Sequence, residues 1–241
     1  MQPVRVDVRL GVRLTGGMFV MTIDQVDSRA HPDAVPQLLE RLRDVPVDLP
    51  FERTAGDEVQ GVLSDPRAVV DAWEASARDG RWTVGIGVGR DGVLTASSRA
   101  SRGGPFLAAR EAVEDAKGDA SRVTVSVSPS AAGSDAEAVG ADAQSVLRLL
   151  SVIIGMRSDA GWRVLDAARA RPEATQAELA RDLGISRQAV SKALRTNHAH
   201  TVDAGLVSAA RLLAHTLELC PTGGGADGPV SGTGRTGRDS R

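Results

Sequence analysis

A single cysteine, Cys220, among 241 residues leaves no partner for an internal disulfide and excludes a cysteine-based zinc site. That scarcity fits a reducing compartment, and a cytoplasmic protein is expected. No uninterrupted apolar run approaches the ~18 residues needed to cross a bilayer. The first 17 residues mix arginine and aspartate with valine and lack the continuous apolar stretch of a secretory signal, so no membrane is expected among the partners. A large net charge is missing too: 29 Lys and Arg against 31 Asp and Glu leave -2 at pH 7. That total hides an asymmetry. Residues 18–127 hold 13 basic against 18 acidic side chains, whereas residues 161–200 hold 7 against 4. A basic module behind an acidic front is what a part that meets phosphates requires.

With 41% hydrophobic residues the chain can bury a core, and its length suits two modest domains. Met18 to Asp24 reads as a central strand apolar on both faces. Pro32 suits a helix start, with Val35, Leu38, Leu39 and Leu42 on one stripe. Phe51 to Leu63 forms two strand-like runs around Gly56-Asp57, a hairpin tip. Asp65-Pro66 caps and opens the next helix. In the strand that follows, Trp82, Val84, Ile86 and Val88 alternate with Thr83, Gly85, Gly87 and Gly89, so one face has almost no side chains and admits either a flat ligand or a close-packed helix. A helix from Gly104 and a strand at Val123–Val127 complete a βαββαβ order with one extra helix and strand. The expected organisation is an extension at 1–17, an α/β domain of ferredoxin-like order at 18–127, a linker at 128–141, an all-α domain at 142–219 and a disordered tail at 220–241.

The strongest motif runs from Thr175 to Asn197. Thr175 and Glu178 have capping-box spacing, Ala180 is small where two helices would cross, Gly184 sits in the turn, and Leu179, Leu183, Ile185, Val190 and Leu194 supply the apolar positions of a helix-turn-helix. Ser186 caps the second helix. With Val190 and Leu194 turned inward, Arg187, Gln188, Ser191, Lys192 and Arg195 share the outer face, donors and acceptors suited to base edges and phosphates. Thr175, Gln176 and Ser186, at the helix starts, complete the expected DNA-facing set. Double-stranded DNA is the expected partner. A homodimer on paired half-sites is expected through the helix from Asp142 or the one from Asp203, unless both pack within the monomer. His198 and His200 are expected to be solvated or close to phosphate.

In the front domain, Asp24 at the end of the first strand and Asp57-Glu58 at the hairpin tip would gather carboxylates at one sheet edge. Such oxygens suit Mg2+ and a nucleotide's phosphates. The plainer alternative is that Asp57 satisfies its own turn and Asp24 caps the loop after its strand.

The βαββαβ order, Asp24 on the first strand and Ala55-Gly56-Asp57-Glu58 in the hairpin resemble the palm fold of class III nucleotide cyclases and GGDEF-type diguanylate cyclases. That resemblance implies Asp24 and Asp57 as ligands of two metals and a phosphate contact for Arg110. The chain departs from the cyclase pattern at Phe106, which stands four residues before Arg110 where cyclases carry asparagine, and at Ala55, where diguanylate cyclases carry glycine. Over residues 18–215 the chain is similar to actinobacterial proteins grouped with the SatD family or named MarR-family transcriptional regulators. Its Met-Thr-Ile-Asp, Phe-Glu-Arg-Thr-Ala-Gly-Asp-Glu-Val-Gln-Gly, Gly-Ile-Gly-Val-Gly and Gly-Pro-Phe-Leu-Ala-Ala-Arg-Glu-Ala-Val stretches carry that likeness. Residues 198–206 give no hairpin signal for a β-wing. The expected function is a DNA-binding transcriptional regulator whose palm-like domain binds a nucleotide with Mg2+ or serves as scaffold. The alternative is a palm-type nucleotidyl transferase or cyclase targeted by the helix-turn-helix, and a third possibility makes the palm an oligomerisation platform.

Overall fold

In chain order the α/β part runs β1 (Met18–Gln25), α1 (Val35–Leu42), β2 (Leu49–Arg53), β3 (Glu58–Leu63), α2 (Pro66–Ala77) and β4 (Trp82–Gly89). A two-residue ladder of β5 (Gly92–Val93) and β6 (Arg102–Gly103) follows, then α3 (Gly104–Lys117) and β7 (Val123–Val127). The helices α4 (Asp135–Gly155), α5 (Asp159–Ala170), α6 (Gln176–Leu183), α7 (Arg187–Thr196) and α8 (Ala199–Leu219) complete the chain. The computed structural model describes residues 16–222. The expected extension and tail therefore lie outside the described residues, except at their inner ends: Gly17 packs beside Arg90 and Leu217, and Cys220 is buried after α8, its thiol pushed up to about 11 by burial.

β1 is buried at nearly every position and sits at the middle of a five-stranded sheet ordered β2-β3-β1-β4-β7. It is antiparallel to β3 and β4, while β7 runs parallel to β4 at the edge. The order 2-3-1-4 over the first four strands, with α1 and α2 as crossovers, is the ferredoxin-like arrangement. The expected turn forms at Ala55–Glu58, where Glu58 N–H donates to Ala55 O (2.9 Å) and Gly56 has φ +56°. α1 starts at Val35, later than Pro32, because Gln25 ties the preceding loop to β1: its Nε2 donates to Pro32 O and its Oε1 accepts from Ala34 N–H, both at 2.8 Å.

The two sheet faces are covered differently. α3 lies directly on the glycine face, where a Cβ at Gly87 would come 2.0 Å from Pro105 O and one at Gly85 2.3 Å from Val113 N. A close-packed helix, not a flat ligand, therefore explains the glycines. On the opposite face Phe19, Met21, Ile23, Val84 and Ile86 form one core with Leu38 of α1, Val69 and Trp73 of α2, Leu147 and Ile154 of α4, and Leu206 and Leu213 of α8. Each such side chain contributes about 2 kcal/mol when fully buried.

That shared core corrects the expected linker. Within 128–141, residues 129–131 form a short 3-10 turn, and from Asp135 onward the chain is already α4, capped by Ser134, whose Oγ accepts from Ala136 N–H (3.2 Å). Its inner positions there are Ala136, Gly140 and Ala143, small residues that let the helix lie close to β7 and α8 but give no apolar stripe to read. α4 is long and apolar enough to cross a membrane by length and composition. Its inner face packs on β7 and α8, with Gln144 Oε1 accepting from Val125 N–H (2.9 Å). α8 likewise begins at Ala199, four residues before the expected Asp203.

Candidate functional site

α5, α6 and α7 form a small three-helix unit with a core of its own: Val164, Leu179, Ala180 and Val190, flanked by half-buried Leu183 and Leu194. The sequence dictates its angles locally. Thr175 Oγ1 accepts from Glu178 N–H (3.3 Å) while Glu178 Oε2 accepts from Thr175 N–H (2.8 Å), a complete capping box. Those bonds hold the Glu178 carboxyl below its usual range. At the other end of α6, Gly184 takes φ +67° and Ile185 N–H donates to Ala180 O (3.0 Å), turning the chain sharply into α7. Ser186 Oγ accepts from Ala189 N–H (3.1 Å) to start α7. Ile185 differs from expectation: it is exposed in the turn rather than packed beneath it.

Gln176, Arg187, Gln188, Ser191, Lys192 and Arg195 line one concavity of about 320 Å³, bordered by no residue of the α/β part. Arg187, Gln188, Lys192 and Arg195 are exposed, Gln176 and Ser191 half-buried. Among the described residues none of the three cations takes part in an ion pair, although arginines elsewhere on the unit do, as Arg171 does with Asp182. The first turn of α7 has no acidic residue, so the positive end of the helix dipole adds to Arg187. An exposed concave face of uncommitted guanidinium, ammonium and amide groups can bind a polyanion and present planar donors to base edges. Thr175 and Ser186 have a different part: their hydroxyls are engaged as caps, so they orient the face.

The carboxylates of the α/β part are arranged otherwise. Asp24 and Glu58 are directly opposite in the β1–β3 register. Asp24 and Asp57 line an open cleft of about 510 Å³ with Gln25, Asp27, Arg29, His31 and Lys117. Lys117 Nζ lies 3.2 Å from Asp24 Oδ2, and Glu58 Oε1 accepts a hydrogen bond from the Thr54 hydroxyl. Among the described residues no three His, Cys, Asp or Glu side chains are gathered to hold a metal ion. Of the expected Mg2+ set of Asp24, Asp57 and Glu58, Asp24 and Asp57 share this cleft, with Asp24 paired to the Lys117 ammonium, while Glu58 is turned to the Thr54 hydroxyl. Arg110 is exposed on α3 and does not line this cleft.

A charged hub that no local pattern foreshadows lies where α2, α5, α7 and α8 meet. Glu74 of α2, its side chain 10% exposed, accepts from Arg157 (Nη1 to Oε1, 3.3 Å) and in fork geometry from Arg169 (2.8 and 3.1 Å). Arg169 continues to Asp203 of α8 (2.6 Å). Arg157, 1% exposed, also donates through Nη2 to Asn197 O (3.1 Å), the residue that ends α7. Arg78 and Arg157 both lie over the Trp162 ring, their guanidinium carbons 4.4 and 4.7 Å from its centre. Glu74 stands 83 and 95 residues from its two arginines, so no local pattern announces the contact.

The family model of winged helix-turn-helix DNA-binding domains matches residues 157–196, from the end of α4 through α7. These residues form a helix-turn-helix DNA-binding domain. No curated protein and no solved structure matches the chain significantly. The matched segment stops where a wing would follow, and there the described residues continue as α8 rather than a hairpin.

Proposed function

We propose that this protein is a transcriptional regulator of the cytoplasm that reads double-stranded DNA with α7. The observation that carries this reading is the exposed face of Arg187, Gln188, Ser191, Lys192 and Arg195, whose cations have no partner among the described residues. Half-sites are read in pairs, and the reading includes a homodimer. Leu149, Val152 and Met156 support it, since they leave one stripe of α4 apolar and open to solvent.

The α/β part serves as scaffold for that unit. Its strand order, with Asp24 on β1 and Gly56-Asp57 in the hairpin, supports descent from a cyclase-type palm, and the whole chain is read as SatD-like and kin to proteins named MarR regulators. A nucleotide ligand would have its place in the cleft beside Lys117, Arg29 and His31.

The test is selection of genomic fragments by the purified full-length protein at physiological salt. Enrichment of one shared sequence containing two half-sites is expected. Recovery of fragments without any common sequence overturns the reading.

A further inference from the structure

We propose that Glu74 is a positioning residue for DNA recognition: from the α/β part it fixes, through Arg157, the end of the recognition helix α7. This rests on the DNA-binding reading and adds a role for a residue far from the DNA-facing side.

α7 is held at its start by Ser186 and along its inner side by Val190. Its end is held differently. Asn197, the C-cap, packs against Gly161 of α5, where a Cβ would come 2.6 Å from Asn197 Oδ1, and its carbonyl receives Arg157 Nη2. Carbonyls at a helix end carry partial negative charge, so a guanidinium fixed there orients the helix as well as capping it. What fixes the guanidinium is Glu74, aided by the Trp162 ring.

The arrangement depends on the carboxylate. Arg157 and Arg169 share Oε1 of Glu74 while Arg169 alone takes Oε2, and the Nε of Arg157 is buried without a hydrogen-bond partner. With Glu74 neutral, two guanidiniums would face each other in a poorly solvated place. Arg157 then gains by swinging away, and Asn197 O loses its donor. The start of α7 stays capped while its end is released, so the side chains of Gln188, Ser191 and Arg195 no longer arrive together at base edges. Contacts to phosphate tolerate such a shift because they carry no sequence information, whereas base contacts do not.

The experiment compares wild type with Glu74→Gln and Arg157→Lys, each as the full chain. Affinity is measured for the selected duplex and for a scrambled duplex over a series of salt concentrations, beside thermal melting. Glu74→Gln is expected to lower affinity for the selected duplex about tenfold and to leave scrambled-duplex affinity and the salt slope unchanged, because Glu74 touches no phosphate. Arg157→Lys keeps a positive charge beside Glu74 but loses the nitrogen that reaches Asn197, so it should lose site preference to a similar degree. It keeps the test decisive if Glu74→Gln fails to fold. Wild-type preference in either folded variant overturns the proposal. A wild-type protein that prefers no sequence sinks the DNA-binding reading instead, a result separate from either variant's behaviour.

Discussion

Lys117 Nζ sits 3.2 Å from Asp24 Oδ2, so the cation beside the first-strand aspartate is the chain's own ammonium. Burial pushes the Asp24 carboxyl above its ordinary value while Lys117 pulls it down. Burial also works to lower the Lys117 ammonium, but its bonds to Glu114 and Asp24 leave it raised.

The signs follow from linkage. A raised Asp24 favours the fold most when protonated, and that contribution is lost as pH rises through its folded value. The raised Lys117 contributes fully below the ordinary lysine value and is lost as pH climbs through its own, in alkali. Lys117→Met should therefore raise the Asp24 pKa further, followed by carboxyl-carbon NMR titration. An Asp24 titration unmoved by the substitution means that the pair does not form in solution.

α3 rests on bare backbone, which makes two glycines irreplaceable. Gly87→Ala forces a methyl to within 2.0 Å of Pro105 O, backbone that cannot swing aside, and should cost about 3 kcal/mol or more in urea denaturation. Gly184→Ala has open space around it and only the left-handed backbone to contend with, a cost of about 1–2 kcal/mol. Equal midpoints for the two variants would contradict the seating of α3.

On the DNA-facing side the substitutions separate by chemistry. Arg187→Ala and Gln188→Ala should relax sequence preference, each bidentate base contact being worth about 1–3 kcal/mol of discrimination. Lys192→Ala should weaken binding to every duplex and reduce the salt slope by about 1. Binding isotherms on selected and scrambled duplexes distinguish these outcomes, and identical isotherms for all three variants count against α7 as the reading helix.

Which parts could be read in advance depends on where the determining contacts lie. The helix-turn-helix was legible because its caps and turn are local: Thr175, Glu178, Gly184 and Ser186 act within four residues of themselves. β1 and β4 were legible because period and composition are local too. The start of α4 was not, since Ala136, Gly140 and Ala143 pack by being small and resemble a linker. Nor was the shared core of α4 and α8 with the sheet, or the Glu74 hub, because both are made by residues far apart in sequence. The partners of Asp24 and Glu58 were not legible for a related reason: adjacency at a sheet edge does not say which neighbour, here Lys117 or Thr54, takes the oxygens.

The outer stripe of α4 offers the last test. Leu149, Val152 and Met156 are 69%, 63% and 79% exposed, and their spacing of three and four residues puts them on one side of the helix. A two-fold axis through an uncharged stripe pairs apolar side chains with their own copies and opposes no like charges. α4 also leads directly into α5, so a seam there would carry the two recognition helices with it. Leu149→Glu with Val152→Glu should convert a dimer into a monomer by analytical ultracentrifugation while the monomer still melts cooperatively, since neither residue is in the core. Affinity for paired half-sites should fall about 100-fold while affinity for a single half-site persists, because linkage turns the second contact into an intramolecular one. A wild-type chain that sediments as a monomer even when bound to paired half-sites would remove α4 as the seam and leave α7 to read DNA alone.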